Sequence, residues 1–300
     1  MFYIAYDPIY AHPLPDGHRF PMLKYELIPQ QLLHEGAMEA HHFVSPSLLA
    51  DEWVLTTHHD DYFFRLKNGQ LTYQEERRIG FPYSQALVER ELRIAQGTID
   101  GCLFALEHDI AFNVAGGTHH AGSNWGEGFC MLNDQAIAAN YLLANKLANR
   151  ILIIDLDVHQ GNGTAEIFQN EDRVFTFSMH AEHNFPFRKE RSDLDIGLAD
   201  GISDTEYLSI LEQHIMPLLD DFAPDFVFYL SGVDILATDK LGKLAVSKVG
   251  CKARDLLVLS ACKARNIPVQ VSMGGGYSPD IKDIVDAHCT TYKVAAELYS

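Results

Sequence analysis

The chain has 300 residues, of which 47% are hydrophobic and 21% are charged, a composition typical of a globular protein with one large core. With 41 acidic against 23 basic residues, the formal net charge of −18 argues against a nucleic-acid-binding protein, because such binding requires a basic surface. There is no apolar run long enough to span a bilayer and no N-terminal secretory signal, so we expect one cytoplasmic domain over residues 1–300.

The cysteine pattern restricts the kind of metal site that this chain can build. Its five cysteines are odd in number and scattered, without a C-x-x-C pair. We expect buried, reduced thiols rather than disulfides or thiolate zinc ligands. A zinc site would therefore use histidine and carboxylate side chains.

The N-terminal part of the chain predicts short elements around an irregular loop. Residues 1–5 are apolar and predict a strand, whereas the Pro- and Gly-rich residues 10–21 predict a surface loop. Residues 24–39 have helical spacing and a predicted buried stripe of four residues, namely Leu27, Leu32, Leu33 and Ala37.

Residues 53–57 predict a further strand, which the adjacent His58 and His59 follow. Two adjacent histidines suggest a pair of metal ligands, but neighbouring residues at a strand end project to opposite sides of the sheet. We therefore expect both histidines to be solvated.

The rest of the chain alternates between predicted helices and predicted apolar strands. The helices are expected over residues 83–106, 134–147, 205–221, 246–265 and 280–298. The strands are expected within 109–122 and over 151–154, 173–179, 225–230 and 267–273, with a long loop over 180–200. This alternation is typical of an α/β fold with a mostly parallel sheet that helices cover on both faces.

Four of these strands lead into polar residues close to glycine, namely His119 and His120, Asp157 and His159, Asp234, and Tyr277. Because the carboxyl ends of parallel strands lie at one edge of a sheet, we expect these side chains to converge. Asp157, His159 and Asp234 would then offer one nitrogen and two carboxylate oxygens to a metal. A further coordination position would stay open for water or substrate, as in catalytic zinc sites.

The segment R-I-L-I-I-D-L-D-V-H-Q-G-N-G, residues 150–163, has two interpretations. Alternation along a strand places Asp155, Asp157 and His159 on one side, which favours a metal site. The alternative is a strand end whose carboxylates only accept hydrogen bonds from a helix N-terminus.

Five motifs occur in order along most of the chain: G-G-T-H-H-A, G-F-C-M-L-N-D, D-L-D-V-H-Q-G-N-G, S-G-V-D-I-L and G-G-G-Y. Together they resemble the successive motifs of the histone deacetylase family. The resemblance implies a single-domain, three-layer arginase/deacetylase fold and zinc-dependent hydrolysis of N-acyl-lysine. H-Q-G-N-G, where the commoner classes read H-H-G-D-G, is similar to the class IV branch, as is the compact length.

The resemblance implies a role for each polar residue of the motifs. Asp157, His159 and Asp234 would bind one zinc ion. His119 and His120 would lie beside the metal-bound water, Asp155 would orient His119, and Tyr277 would donate a hydrogen bond to the substrate carbonyl. This chemistry needs an activated water, a base and a group that stabilises the oxyanion. We expect His120 to be the general base and acid and His119 its electrostatic partner, in a pair that titrates together.

The resemblance also implies a narrow apolar tunnel for the acyl-lysine stem. Phe129 would form one wall and Phe185 the other, with Phe187 as the alternative to Phe185, because aromatic walls suit a methylene chain. Gly128 and Gly275 would complete the substrate site. Arg19 would lie beneath the tunnel and meet the released carboxylate, with a solvated surface position as the alternative.

A structural K+ ion is a second metal that the resemblance implies. Its ligands would be mostly backbone oxygens of Asp155, Asp157, His159, Ser178 and Met179.

Three departures from the commoner pattern qualify these expectations. Asn162 replaces an aspartate behind His120, so the pKa of His120 should be lower than in a site with a carboxylate there. Gln160 replaces a histidine. Residues 79–84, I-G-F-P-Y-S, contain no counterpart of the aspartate that clamps a substrate peptide.

The missing aspartate leaves acylated polyamines or another small amide as alternative substrates, which the acidic composition would attract. A binding protein without catalytic activity is a further alternative. An arginase-like ureohydrolase with two metals is disfavoured, because Gly161 and Leu236 stand where a second metal would need carboxylates. We expect an acylated lysine or small amine as partner, no nucleic acid and no membrane span, and the sequence predicts no oligomeric state.

Overall fold

The structure is a computed structural model that describes residues 2–300. The strands are β1 (Ile4–Ala5), β2 (Phe43–Val44), β3 (Ile110–Asn113), β4 (Ile151–Asp155), β5 (Val174–Ala181), β6 (Leu194–Leu198), β7 (Phe226–Leu230) and β8 (Val269–Ser272). They form one sheet in the order β2-β1-β3-β8-β7-β4-β5-β6. Every neighbouring pair is parallel, so all strands end at the same edge.

Ten α-helices are present in residues 2–300. They are α1 (Lys24–His34), α2 (Asp51–Val54), α3 (Asp60–Lys67), α4 (Tyr73–Ile79), α5 (Gln85–His108), α6 (Asp134–Ala144), α7 (Asn162–Phe168), α8 (Asp204–Asp221), α9 (Lys248–Ala264) and α10 (Ile281–Tyr299). Helices α5 and α6 pack together, and α5 also packs on β3 and β8. Helix α9 packs between α8 and α10, and α10 packs on α1.

The long helices begin where a side chain can satisfy their free N–H groups. Ser84 accepts a hydrogen bond from Leu87 N at the start of α5, and Asn133 accepts one from Ala136 N at the start of α6. Ser203 and Glu206 form a reciprocal capping box at the start of α8. All residues of β3, β4, β7 and β8 are buried, which agrees with the mainly apolar sequences of β3, β4 and β7, whereas β8 also buries Gln270 and Ser272. The predicted α/β fold with a parallel sheet is confirmed.

The predicted stripe on the first helix is only partly right. Leu32 is fully buried, but Leu33 is exposed and Ala37 lies beyond the end of α1. The buried face consists instead of Lys24, Tyr25, Ile28, Pro29 and Leu32. The helix is shorter than predicted because Gly36, with φ of 66°, follows its last turn.

The predicted strand over residues 53–57 is wrong, because helix α2 and a turn occupy this stretch. The expected solvation of His58 is wrong for the same reason. His58 is buried, its Nδ1–H donates to Gly122 O at 3.0 Å, and its Nε2 accepts from Asn133 N at 3.0 Å. His59 is exposed, as predicted. His58 therefore connects the α2–α3 turn to the segment that follows His120.

The predicted long loop over residues 180–200 contains strand β6, which pairs with β5 at the edge of the sheet. Its sequence, L-D-I-G-L, mixes apolar and polar residues, and four of its five residues are at least partly exposed. The cysteines agree with the prediction, since all five are buried and none forms a disulfide. Over residues 2–300, no helix is long and apolar enough to cross a membrane.

The buried His58 predicts a pH-dependent contribution to stability. Burial lowers the pKa of His58 to about 4. An unfolded histidine takes up a proton near pH 6.5, whereas folded His58 does so only near pH 4. Stability should therefore be fully present above pH 6.5 and fall as the pH drops towards 4, by about 3 kcal/mol from this group. Urea unfolding of the wild type and of His58→Gln at several pH values measures the free energy of unfolding of each. If this free energy changes with pH in the same way in both proteins, the prediction is contradicted.

Candidate metal centre and active site

The polar groups predicted to converge do so because their strands are neighbours. Strands β3, β8, β7 and β4 are consecutive in the sheet. The segments that follow their carboxyl ends carry His119 and His120, Tyr277, Asp234, and Asp157 with His159 in that order. All six side chains are buried. The sheet order therefore gathers residues that are up to 158 positions apart along the chain.

Asp157, His159 and Asp234 form a buried cluster whose donor atoms all lie within 4.8 Å of one another. His159 Nδ1 is 3.1 Å from Asp157 Oδ1 and 3.3 Å from Asp234 Oδ2. Strand β4 ends at Asp155, so Asp157 and His159 lie in the following turn and the predicted alternation along a strand does not position them. The turn is held by Asp157 N, which donates to Asp155 Oδ1, and by His159 N, which donates to Asp157 Oδ1.

The cluster fits a divalent cation. Asp234 Oδ2 is buried and accepts no hydrogen bond from the residues that the structure describes, and its ion-pair neighbour in the cluster is His159 Nδ1, 3.3 Å away. A buried carboxylate oxygen without a partner is costly unless a cation binds it. Two carboxylates and one imidazole are also a ligand set that zinc accepts in catalytic sites.

The pKa values of the metal-free cluster agree with this interpretation. Burial, followed by the charge of Asp157, raises the pKa of Asp234 to about 7. Although burial lowers the pKa of His159, its contacts with Asp157 and Asp234 outweigh burial and raise the pKa to about 10. Without a metal, the two carboxylates therefore hold a proton on His159. Because a metal ligand must be deprotonated, binding of the cation should release protons.

His119 and His120 lie side by side, with ring centroids 4.1 Å apart. His119 Nδ1 donates to Asp155 Oδ2 at 2.7 Å, and His120 Nδ1 donates to Asn162 Oδ1 at 2.6 Å. The Nε2 atom of each ring is thereby the one left for other partners. His119 Nε2 lies 3.8 Å from Asp157 Oδ1, one of the three proposed metal ligands.

The two histidines have opposite protonation tendencies. Although burial lowers the pKa of His119, the carboxylates of Asp155 and Asp157 outweigh burial and raise it to about 9. Burial, followed by the charges of His119 and His159, holds the pKa of His120 well below its usual value. Burial is the main cause, and the predicted difference from a site with an aspartate behind His120 stays a prediction. Its hydrogen bond to Asn162 acts in the opposite direction.

Tyr277 lies across the site from the histidines, with its ring centroid 6.5 Å from that of His159. Its backbone N–H donates to Asp239 Oδ2 at 2.5 Å, a positioning contact that the sequence did not indicate. The hydroxyl makes no hydrogen bond to another residue within 2–300. Burial and the charges of Asp157 and Asp234 raise the pKa of Tyr277 well above its usual value, so the hydroxyl keeps its proton.

Phe129 and Phe185 border the site where we expected tunnel walls. The Phe185 ring lies 4.9 Å from the His120 ring, whereas Phe187 is 92% exposed and lies farther out. Phe129 follows Gly128 in a tight turn between Glu127 and Cys130, and both central residues have positive φ, 55° and 70°. Such angles are those of a type I′ turn, which costs free energy at a phenylalanine and is common at functional sites.

A cavity of about 270 Å³ opens above these residues, and we call it the mouth cavity. Its lining consists of Arg19, Arg78, His120, Gly128, Phe129, His159, Asn184, Phe185, Phe187, Leu241 and Tyr277. The cavity thus leads from the surface to His159, one of the three proposed ligands, and to His120. Gly128 permits this packing, because a Cβ there would lie 2.7 Å from the His120 ring.

The predicted position of Arg19 beneath the tunnel is wrong. Arg19 is exposed at the mouth cavity, with its guanidinium carbon 4.9 Å from the centre of the Phe129 ring. The buried cation on the inner side is Lys24, which is 0% exposed and donates to Gly274 O at 3.1 Å. Helix α1 begins at Lys24, and its first turn faces the core, whereas Arg19 lies in the preceding surface loop.

Gln160, which stands in place of a histidine, is a positioning residue with a role that its sequence position did not indicate. Its Nε2 donates to Glu190 O at 2.7 Å and to Asp195 Oδ1 at 2.8 Å, and its Oε1 accepts from Glu190 N at 3.0 Å. These bonds tie the ligand turn to the segment that carries Phe185.

A buried ion pair supports the segment between β7 and Asp234 in a similar way. Arg254 pairs with Asp255 at 2.8 Å and donates to the backbone oxygens of Ser231 and Gly232. No sequence signal distinguished these two charged residues from exposed ones on helix α9.

Gly275 packs its backbone against both carboxylates of the proposed ligand set. Its N–H donates to Asp157 Oδ2 at 2.8 Å, and a Cβ at this position would collide with Asp234 Oδ2 and lie 2.7 Å from Asp157 Oδ2. We therefore expect Gly275→Ala to weaken zinc binding by at least tenfold, since the carboxylates must move apart. Competition with a chromophoric chelator measures this affinity.

Gly101→Ala is the matched control for this prediction. A Cβ at Gly101 in α5 would lie 3.5 Å from Gln270 and 3.6 Å from Ala111, which is ordinary contact. This variant should bind zinc as the wild type does, and alanine favours a helix over glycine. Equal zinc affinity of the Gly275→Ala variant and the wild type would show that the cluster does not bind the metal as described.

Comparisons with known proteins connect this geometry to a family. A model of the histone deacetylase domain matches residues 18–292 of the chain. An uncharacterized protein of Picosynechococcus sp. is 47% identical over 298 residues, which is 99% of each protein. Histone deacetylase 2 of Arabidopsis thaliana is 30% identical over 270 residues, which is 87% of this chain and 70% of that protein.

A comparison of folds leads to the same group of proteins. The crystal structure of an HDAC homolog complexed with SAHA matches 99% of this chain and 84% of its own with a TM-score of 0.85. The sequence identity is 24%, so this likeness concerns the fold.

Proposed function

Because this chain belongs to the histone deacetylase family, we propose that it hydrolyses N-acyl-lysine amides with one zinc ion, which Asp157, His159 and Asp234 hold. Family membership supports a deacetylase-type hydrolase, and the choice of zinc and of lysine is the finer part of the proposal. The observation that carries it is the convergence of three ligands, two differently protonated histidines and a free tyrosine hydroxyl at one edge of the sheet, where His120, His159 and Tyr277 line the mouth cavity. A bound zinc ion would lower the pKa of a water molecule and polarise the amide carbonyl.

His120 is the proposed general base and acid. It is neutral, and its Nδ1–H is engaged by Asn162, so Nε2 is free to accept a proton from the attacking water. The same nitrogen then returns a proton to the leaving amine, which would otherwise depart as an unstable anion. His119, held by Asp155, contributes a positive charge beside the reacting atoms.

Tyr277 is the proposed hydrogen-bond donor to the amide oxygen. Its hydroxyl stays protonated, and Asp239 fixes its backbone. A preorganised donor at this place stabilises the negative charge that develops on the oxygen as the carbonyl carbon becomes tetrahedral.

The substrate would enter between Phe129 and Phe185. Both rings contact the polar site, and their apolar faces suit the methylene chain of lysine. Gly128 and Gly275 contribute by what they lack, since a side chain at either position would crowd the histidine or the ligands. A structural K+ ion remains part of the proposal, with Ser178 placed beside Asp155 in the neighbouring strand.

Hydrolysis of a matched panel tests the proposal. Acetyl-, octanoyl- and myristoyl-lysine peptides and an acetylated polyamine are incubated with protein that carries one equivalent of zinc, and the released amine is quantified. Turnover of at least one acyl-lysine peptide, with the polyamine cleaved more slowly, is expected. Cleavage of the polyamine alone would replace lysine by a small amine as the substrate. A lack of turnover on every member would favour a binding protein over an enzyme.

A further inference from the structure

The mouth cavity carries a charge opposite to that of the protein as a whole. Its lining includes Arg19 and Arg78, but no aspartate or glutamate of residues 2–300. The chain nevertheless contains 41 acidic and 23 basic residues. A group that reaches the site through this cavity therefore meets positive charge, although the protein repels anions at long range.

Arg19 is the uncompensated cation of this lining. It is exposed, and in the described part of the chain its side chain forms neither an ion pair nor a hydrogen bond. Its contact with the Phe129 ring, at 4.9 Å, is a cation–π interaction that holds the guanidinium at the entrance. Since Phe129 borders the proposed tunnel, a charge on the substrate just outside the tunnel would come close to Arg19.

Arg78 contributes donors rather than net charge. Its Nη2 lies 2.5 Å from Glu127 Oε2, and its guanidinium carbon is 5.4 Å from the Trp125 ring. Its backbone oxygen accepts a hydrogen bond from Gly128 N, so the residue is fixed beside the turn that presents Phe129. Glu127 neutralises the charge of Arg78, so Arg19 is the main source of positive charge at the mouth cavity.

The opposite side of the mouth cavity is apolar. Phe187 is 92% exposed, and its ring centroid lies 6.4 Å from that of Phe185. Two cations follow Phe187 on this segment. Lys189 donates to Asn184 O and Pro186 O and so is turned into its own loop, whereas Arg188 is exposed but does not line the mouth cavity. The mouth therefore offers one positive group and one exposed aromatic ring to whatever surrounds the acylated amine.

We propose that Arg19 makes this protein select acyl-lysine in acidic polypeptide segments, in preference to basic segments and to polyamines. The inference rests on the proposed function, since it concerns the part of the substrate outside the tunnel. A carboxylate beside the acyl-lysine would pair with Arg19, whereas a second cation would be repelled. The net charge of −18 acts in the opposite sense, but salt screens it beyond about 8 Å at physiological ionic strength.

Three peptides with the same acyl-lysine test the proposal. The residues on both sides of the lysine are glutamate, alanine or lysine. We expect kcat/KM to be highest for the glutamate peptide and about fivefold lower for the lysine peptide, mainly through KM, because an exposed charge pair changes binding by a few-fold. Arg19→Ala should remove most of this preference, and Arg19→Glu should reverse it.

Arg77→Ala is the matched control, since Arg77 is exposed on the same helix as Arg78 but does not line the mouth cavity. It removes the same formal charge as Arg19→Ala and should leave the order of the peptides unchanged. An order that is identical in wild type and Arg19→Glu, or a wild-type preference for the lysine peptide, would overturn the inference while hydrolysis itself stands.

The two proposals fail in different ways. If zinc-loaded protein cleaves none of the three peptides, the proposed function fails. Fluorescence anisotropy of the labelled peptides then measures their binding and tests the proposed role of Arg19 independently of hydrolysis. Tighter binding of the glutamate peptide that disappears in Arg19→Ala supports it, and equal binding of the three peptides overturns it.

Discussion

Replacing Tyr277 with phenylalanine is expected to lower kcat for an acyl-lysine peptide by about 10²–10³-fold, the loss typical of removing one oxyanion donor. The hydroxyl makes no structural hydrogen bond in residues 2–300, so its removal should cost little stability. Steady-state kinetics and the zinc content of the purified variant measure the two quantities. We expect KM and zinc content to stay close to those of the wild type.

The Tyr277→Phe variant separates the role of the hydroxyl from that of the ring, because only the hydroxyl is removed. Phenylalanine keeps the contacts with Phe20 and Phe129, so a loss of activity would report the missing hydroxyl rather than a disturbed wall. Unchanged kcat in a zinc-loaded variant would remove Tyr277 from the mechanism. A loss of zinc would show that the variant has altered the metal cluster instead.

Replacing His120 with alanine is expected to lower kcat by about 10²–10⁴-fold, the range for removal of a general acid or base. His120 is not among the three proposed ligands, so zinc should remain bound. Steady-state kinetics on the acyl-lysine peptide, with metal analysis, measure both. Retention of full activity would assign the proton transfers to another group.

Asn162→Asp is a companion variant that reports on His120 without removing it. A carboxylate in place of the amide that His120 Nδ1 contacts at 2.6 Å would favour the imidazolium and raise the pKa of His120. Because the base must be neutral to accept a proton, the acid limb of the kcat/KM profile should move to higher pH. An acid limb that does not move would indicate that His120 does not titrate in that limb.

The candidate site was predictable because its residues follow strands that are unambiguous in the sequence. Strands β3, β4 and β7 are mainly apolar, all residues of these strands and of β8 are buried, and each strand leads into a segment that contains glycine. The rule that parallel strands share an edge then brings Asp157 and Asp234 together. Alternation along a strand does not position Asp157, since β4 ends at Asp155, but the convergence of the side chains does not depend on it.

The errors lie where tertiary contacts override local preference. W-V-L-T-T at residues 53–57 favours a strand by composition, yet α2 and its turn place Val54 and His58 against the core. Strand β6 escaped prediction because most of its side chains are partly exposed and its sequence is short and mixed. The short sequences of α2 and β6 by themselves therefore do not indicate the structure that each adopts.

The two cations at the site show what a sequence cannot distinguish. Arg19 and Lys24 are five positions apart, and both belong to residue types that are usually exposed. The structure buries Lys24 against Gly274 O and exposes Arg19 at the entrance. Which of the two faces inward follows from where α1 begins, and boundaries of elements are the least certain part of any prediction from sequence.

The measurement that tests the account most directly is a zinc titration of metal-free protein, with turnover of the acyl-lysine peptide that the panel identifies. Asp157, His159 and Asp234 form one ligand set, so activity should rise from near zero and reach its plateau at one equivalent of zinc per chain. Asp234→Asn should need far more zinc to reach the same activity. Turnover by the metal-free protein, or a plateau only at two equivalents, would contradict a hydrolase with a single zinc ion at this cluster.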